Sequence, residues 1–160
     1  MTARPELPTV RLEQLAHAAD LALPARQSAG AAGYDLLAAV GETLTLRPRE
    51  RAAVPTGLVL AIPEGFEGQV RPRSGLAIRY GVTVVNAPGT IDSDYRGEVM
   101  VLLVNLGDQP FTISRGDRIA QIIFAPVQRV LLEAGPVDRA TVRGGHGFGS
   151  TGENGGTGLR

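Results

Sequence analysis

A chain of 160 residues with 43% hydrophobic content suits one domain with a modest core and excludes disorder as its general state. Sixteen acidic residues balance 16 basic ones, so no net field favours nucleic acid or a membrane as partner. Cysteine and lysine are absent and only His17 and His146 represent histidine, which excludes disulfides, a thiol nucleophile, a Schiff-base or P-loop lysine and a multi-histidine metal site.

Residues 1–23 read as an irregular leader with one short edge segment at 9–12. Residues 13–23 have room for a helical turn or two before Pro24 closes it. Glu13, His17 and Asp20 interrupt the apolar residues there, so no signal peptide is read. The longest apolar run, 99–104, is too short to span a bilayer, and a cytoplasmic protein is expected. From Gly33 onward short apolar or alternating runs recur between turn signals. They predict strands at 34–37, 42–46, 51–55, 57–62, 67–72, 82–85, 98–105, 110–113, 117–125 and 127–131. Twenty-one glycines and 11 prolines favour such short strands, and the pattern is that of an all-β sandwich or barrel. One short helix is expected, with Ser74 as its cap, Leu76, Ala77 and Ile78 as its apolar side and Gly81 as its end. Residues 143–160 are mostly glycine and small polar residues, which predicts a flexible arm after a β domain spanning 1–142.

With few histidines and no cysteine, a general base is expected to be a carboxylate, and charged groups for anions are expected to be arginines. The run Arg71-Pro72-Arg73-Ser74-Gly75-Leu76-Ala77 sets two arginines and a hydroxyl beside a helix start, a possible phosphate cradle or an ordinary flanked cap. The run from Asn86 to Glu98 has a Pro88-Gly89 turn, then a strand from Ile91 bearing Asp92 and Asp94. At that spacing both carboxylates share a face of a regular strand. Asp92 could activate water and Tyr95 could pack on a sugar; equally, the aspartates could bond turn backbone. Phe148 stands among glycines without apolar periodicity, a placement suited to stacking on a base. Residues 147–152 match G-x-G-x-x-G, but no strand precedes them and no βαβ unit can follow, so a dinucleotide site is rejected. Gly116 to Gln121 reads as a turn entering a buried strand, and Ala32 to Leu36 as a strand entry carrying Asp35.

In this order, Ala32–Leu36, Arg71–Ala77, Asn86–Glu98, Gly116–Gln121 and Arg143–Gly152 resemble the five motifs of the trimeric dUTPase family. The resemblance spans about residues 24 to 152. It implies a distorted jelly-roll fold, a homotrimer with sites shared between subunits, and magnesium-dependent hydrolysis of dUTP to dUMP and pyrophosphate, supplying dUMP for thymidylate synthesis. It makes Asp92 the base for water attacking the α-phosphorus and Tyr95 the ring beneath deoxyribose that refuses a 2′-hydroxyl. Asn86, Gly89, Thr90 and Ile91 become the uracil-reading hairpin, and Arg73, Ser74, Gly75 and Gln121 the phosphate positions. In the arm, Phe148 stacks on uracil while Arg143, Gly149, Ser150 and Thr151 hold the γ-phosphate. Asp35 touches magnesium only through water. His146 departs from the small residues usual at its place in the arm. The competing readings are a dCTP deaminase-like enzyme and a non-catalytic nucleotide-binding regulatory trimer.

Overall fold

Alternation of apolar and polar side chains builds most of this chain. In the strand Glu98–Asn105 (β8), Val99, Val101, Leu103 and Asn105 are buried while Met100 is exposed, the period expected of a sheet with one face on a core. The computed structural model describes residues 7–145 and divides the chain into two units, Met1–Arg129 and Val130–Arg160.

The first unit is a β structure with one α-helix. One sheet has the order β1 (Arg11–Gln14), β4 (Arg51–Ala61), β8, β6 (Val82–Val84). The second has the order β2 (Tyr34–Leu37), β10 (Arg118–Pro126), β5 (Phe66–Arg71), β7 (Gly89–Ile91). A two-stranded sheet joins β3 (Leu44–Leu46) to β9 (Phe111–Ile113). Every pairing is antiparallel. Inward side chains of both large sheets, among them Leu36, Val54, Val70, Val99, Leu103 and Ile122, form one shared core, as in the distorted jelly roll expected. Asn105 is fully buried and satisfied, its amide donating to Leu46 O (2.9 Å) and Gln109 O (2.8 Å) and its Oδ1 accepting from Gly107 N–H (2.9 Å).

Several expectations need correction. The strands expected at 51–55 and 57–62 are one strand, β4, whose register with β8 shifts between Pro55 and Val59. Gly57 lies in that bulge at φ 67°, where a Cβ would stand 2.0 Å from Cβ of Ala18. The edge segment expected at 9–12 pairs instead as Arg11–Gln14, and the helical turn that follows is a single 3-10 turn, Ala16–Ala18. No strand forms at 127–131: β10 ends at Pro126, and Val127 N–H donates to Gly65 O at 2.8 Å. Apolar composition alone does not make a strand. Ser74 is not a cap; it is the first residue of helix α1 (Ser74–Tyr80), Arg73 is the N-cap, and no side chain caps it. Of the apolar side expected there, Leu76 packs against the core but Ile78 is 85% exposed. Gly81 does end the helix, in the left-handed conformation at φ 68°.

The leader is fastened to the sheets. Gln14 Nε2 donates to Ala18 O and Leu21 O, both at 2.8 Å, and Leu15 N–H donates to Gly57 O at 2.8 Å. Arg115, in the turn after β9, pairs with Asp20 and donates to His17 O (2.6 Å) and Val40 O (3.1 Å). The Arg115 guanidinium, through its hydrogen bond, holds the Asp20 carboxyl below the usual carboxylate range.

In the second unit the described residues form no helix or strand. Ala140 N–H donates to Oδ1 of Asp138 (2.9 Å) and Gly144 N–H to Thr141 O (3.1 Å).

Candidate active site

Sheet register builds the first cluster. Gln121 on β10 stands between Asp35 on β2 and Arg71 on β5, as Cα partners of each. Arg73 follows β5 by two residues and turns its guanidinium back, with Nε 3.5 Å from Oδ1 of Asp35. Arg118 reaches the other carboxylate oxygen, with Nη1 3.3 Å from Oδ2. Arg73 Nη1 also donates to Arg118 O at 2.9 Å, which ties the two arginines together. Asp35 is 13% exposed, so its charge sits in a partly desolvated place with two cations on it. Gln121 Nε2 donates to Pro72 O at 3.0 Å. Gly33 leaves the room: a Cβ there would lie 2.5 Å from Gln121 Oε1. Ser74 is exposed and Gly75 half-buried, its carbonyl accepting Nε of Arg79 at 3.1 Å.

The second cluster is the hairpin before β8. Gly89 to Ile91 pair with Val70 to Gly68 of β5, which fixes the hairpin's height on the sheet. The Ala87–Pro88 peptide bond is cis. Asn86 folds over Gly89, its Nδ2 standing 3.1 Å from where a Cβ on Gly89 would be, and Thr90 is exposed. The strand stops at Ile91, so the two aspartates do not share a strand face as expected. Residues 92–95 instead form a turn in which Tyr95 N–H donates to Asp92 O at 3.1 Å. Arg96 Nη1 closes the turn, donating to Ser93 O and Tyr95 O, both at 2.7 Å. Asp92 and Asp94 are exposed and border a cleft of about 710 Å³ together with Glu64, Glu67, Arg96 and Arg129. Tyr95 is 42% exposed and its hydroxyl donates to Glu98 O at 3.0 Å.

The Asp92 turn and Arg73 lie toward opposite ends of β5, while Gly89, paired with Val70, sits one residue along from Arg71, the partner of Gln121. Asp92 borders its cleft beside Glu67, at one end, whereas Arg73 lies just past the other. Six residues of extended chain separate Glu67 from Arg73, roughly 20 Å at about 3.3 Å per residue. One chain brings Asp35, Arg73 and Gln121 together, and brings Asn86, Gly89, Thr90, Ile91, Asp92 and Tyr95 together; Gly89 lies across β5 from Gln121, one residue along, and the Asp92 turn lies farthest from Arg73. Arg143 is in the second unit, while His146, Phe148, Gly149, Ser150 and Thr151 lie outside the described residues.

Two residues that contact these clusters were not singled out in the sequence. Arg118 lies within the Gly116–Gln121 segment, and as the only arginine beside Gln121 it could have been noticed there; its contact with Asp35 depends on register. Glu98 ends the Asn86–Glu98 segment, but nothing local distinguishes it from a strand-edge carboxylate. Among the described residues no group of three or more His, Asp or Glu could hold a metal ion.

A family model for dUTPase matches residues 19–152. A deoxyuridine 5′-triphosphate nucleotidohydrolase of Methylocella silvestris is 65% identical over 146 residues, covering 90% of this chain and 91% of that protein. One of Rhizobium leguminosarum bv. trifolii is 59% identical over 147 residues, covering 91% and 94%. Among solved structures, a Staphylococcus bacteriophage 80alpha dUTPase with dUpNHpp superposes with a TM-score of 0.80 at 26% identity, over 90% of this chain and 98% of that one. A dUTPase of phage phi11 of S. aureus, described with its coordination of a structural Mg(II) ion, superposes with a TM-score of 0.70 at 25% identity, over 79% and 96%.

Proposed function

Because this chain belongs to the dUTPase family and is therefore an enzyme that hydrolyses dUTP, we propose that it breaks the bond between the α- and β-phosphates by attack of a water that Asp92 activates. The observation that carries this reading is the exposed Asp92 carboxylate, held in a turn by Arg96 beside the hairpin suited to a pyrimidine and next to Tyr95. Asp92 takes a proton from water; the water oxygen bonds to the α-phosphorus; the bridging oxygen leaves with pyrophosphate, giving dUMP. Such a product would feed thymidylate synthesis.

Asn86 and the backbone of Gly89, Thr90 and Ile91 read the uracil edge, and Tyr95 packs beneath the deoxyribose. Arg73, Ser74, Gly75 and Gln121 receive the phosphates, where arginine forks match the oxygens of an anion. In this reading Arg73 and Arg118 exchange their grip on Asp35 for a shared one on Asp35 and the triphosphate. The arm closes the site, with Phe148 on the uracil and Arg143, Gly149, Ser150 and Thr151 on the γ-phosphate.

The donor set fits a magnesium ion that arrives with the nucleotide: Asp35 is one carboxylate, and no cluster of three carboxylates or histidines occurs among the described residues. Magnesium keeps several waters and needs one or two carboxylates besides the substrate phosphates, so Asp35 would hold it through water. When bound, it would neutralise charge on the phosphates.

The distance along β5 between Asp92 and Arg73 supports a site completed between copies of the chain, which the family reading makes a homotrimer with shared sites. We place the enzyme in the cytoplasm. The deciding experiment is pyrophosphate release from dUTP, dTTP, UTP and dCTP with magnesium. Release confined to dUTP is expected; ammonia from dCTP, or no turnover of dUTP, would overturn the reading.

A further inference from the structure

Glu98 opens β8 directly after the turn that carries Asp92 and Tyr95, and its two ends bond in different directions. Its backbone carbonyl accepts the Tyr95 hydroxyl at 3.0 Å. Its carboxylate points to the bulge of β4, where Oε1 accepts Gly57 N–H at 2.6 Å and meets Nε2 of His17 at 3.1 Å. The neighbouring bulge residue, Thr56, donates its hydroxyl to Val99 O at 2.6 Å, so the bulge grips the first two residues of β8 in succession. On the facing side Gly97 makes room for the ring, since a Cβ there would lie 2.3 Å from Tyr95 Oη and 2.6 Å from its Cζ. The Tyr95 ring thus lies against residue 97 with its hydroxyl tied to residue 98.

A ring that must distinguish sugars differing by one hydroxyl has to be held within a fraction of an ångström, because a looser surface gives way to the larger sugar. Tyr95 is 42% exposed with its ring against Gly97, and the bond to the Glu98 carbonyl is what fixes its hydroxyl. That carbonyl is only as fixed as the start of β8, which is held by the pairing of Glu98 with Val59, by Thr56 on Val99 O and by the Glu98 carboxylate on the buried Gly57. We propose that Glu98 is a positioning residue for sugar selection: through its anchorage to Gly57 it fixes the carbonyl that holds the Tyr95 hydroxyl, and so the surface that accepts deoxyribose and refuses ribose. This rests on the reading of Tyr95 as the sugar-facing ring.

The test compares kcat/KM for dUTP with that for UTP, by pyrophosphate release, in the full chain and in Glu98→Ala, Glu98→Gln, Tyr95→Phe and Tyr95→Ala. A variant that is merely less stable loses both activities in proportion, whereas a loosened ring lowers the ratio. Glu98→Ala is expected to lower the ratio about tenfold, the order of one lost hydrogen bond. Glu98→Gln keeps an oxygen for Gly57 N–H and is expected to restore most of it. Tyr95→Phe removes only the hydroxyl, is expected to lower the ratio similarly, and decides the matter even where Glu98→Ala does not fold. A wild-type ratio in Tyr95→Phe, or in a folded Glu98→Ala, overturns the positioning role. Tyr95→Ala separates the two ideas: a wild-type ratio there overturns Tyr95 as the sugar ring itself, while a lowered ratio there beside an unchanged one in Tyr95→Phe overturns only the part played by Glu98.

Discussion

Gly33 and Gln121 stand in a lock-and-space relationship: a methyl group on Gly33 would lie 2.5 Å from Gln121 Oε1 and 3.3 Å from both its Cβ and its Cδ. The amide is held from its other side by Pro72 O, so it cannot swing clear without giving up that bond.

Gly33→Ala is therefore expected to displace Gln121 while leaving β2 and β10 paired, because their backbone bonds do not involve either side chain. We expect kcat/KM for dUTP to fall about tenfold, the scale of one oriented hydrogen bond, with a melting temperature close to that of the parent. Steady-state kinetics with a thermal melt checks this; unchanged kinetics would remove Gln121 from the phosphate group.

Asp92→Asn keeps the size and turn bonding of the residue but cannot accept a proton from water. Turnover is expected to drop by about 10²- to 10⁴-fold, the usual range for a general base, with little change in the affinity for dUpNHpp. Single-turnover kinetics and calorimetric binding read the two quantities separately. Turnover near that of the parent would mean that another group takes the proton.

Gly57 is buried at φ 67° with no space beyond its hydrogen atoms. Gly57→Ala combines an unfavourable left-handed backbone with a 2.0 Å approach to Ala18, and is expected to cost about 2–4 kcal/mol of stability. Chemical denaturation measures it, and a loss below about 1 kcal/mol would show that the leader moves aside freely.

The Asp20–Arg115 pair predicts a pH dependence with a definite sign. In the unfolded chain Asp20 titrates near its ordinary value of about 3.9, while in the folded protein Arg115 lowers it. The folded state thus binds fewer protons in that window, so the contribution of the pair is present at neutral pH and is lost as the pH falls through the lowered value. Asp20→Asn should melt at a lower temperature than the parent near pH 7, and the gap should narrow as the pH falls below the ordinary carboxylate range. A gap that persists in acid would assign the effect to something other than the charge.

Most of the strand set was legible because it is written locally. The runs at 34–37 and 98–105 alternate between turn signals, and the structure has β2 and β8 with those bounds. Gly81 announced the end of α1 for a similarly local reason, since few other residues enter the left-handed region. What escaped depends on partners far away in sequence. Gly57 was read as the start of a second strand, yet it lies in a bulge within one strand and packs against Ala18, 39 residues earlier. The run at 127–131 has the composition of a strand, yet β10 ends at Pro126. Asp92 and Asp94 looked like strand residues because nothing in their identity says that β7 ends at Ile91. The residues of both clusters were legible one at a time; how far along β5 Asp92 lies from Arg73 was not, because strand pairing decides it.

The length of β5 has a consequence for inheritance. If a working site takes its phosphate end from one polypeptide and its water-activating end from another, lesions at the two ends are not equivalent to two lesions at one end. A cell carrying one allele damaged at Arg73 and a second damaged at Asp92 would make mixed assemblies in which some sites draw an intact end from each product. Two alleles that are each null alone would then restore growth together, while two alleles both damaged at Asp92 would not.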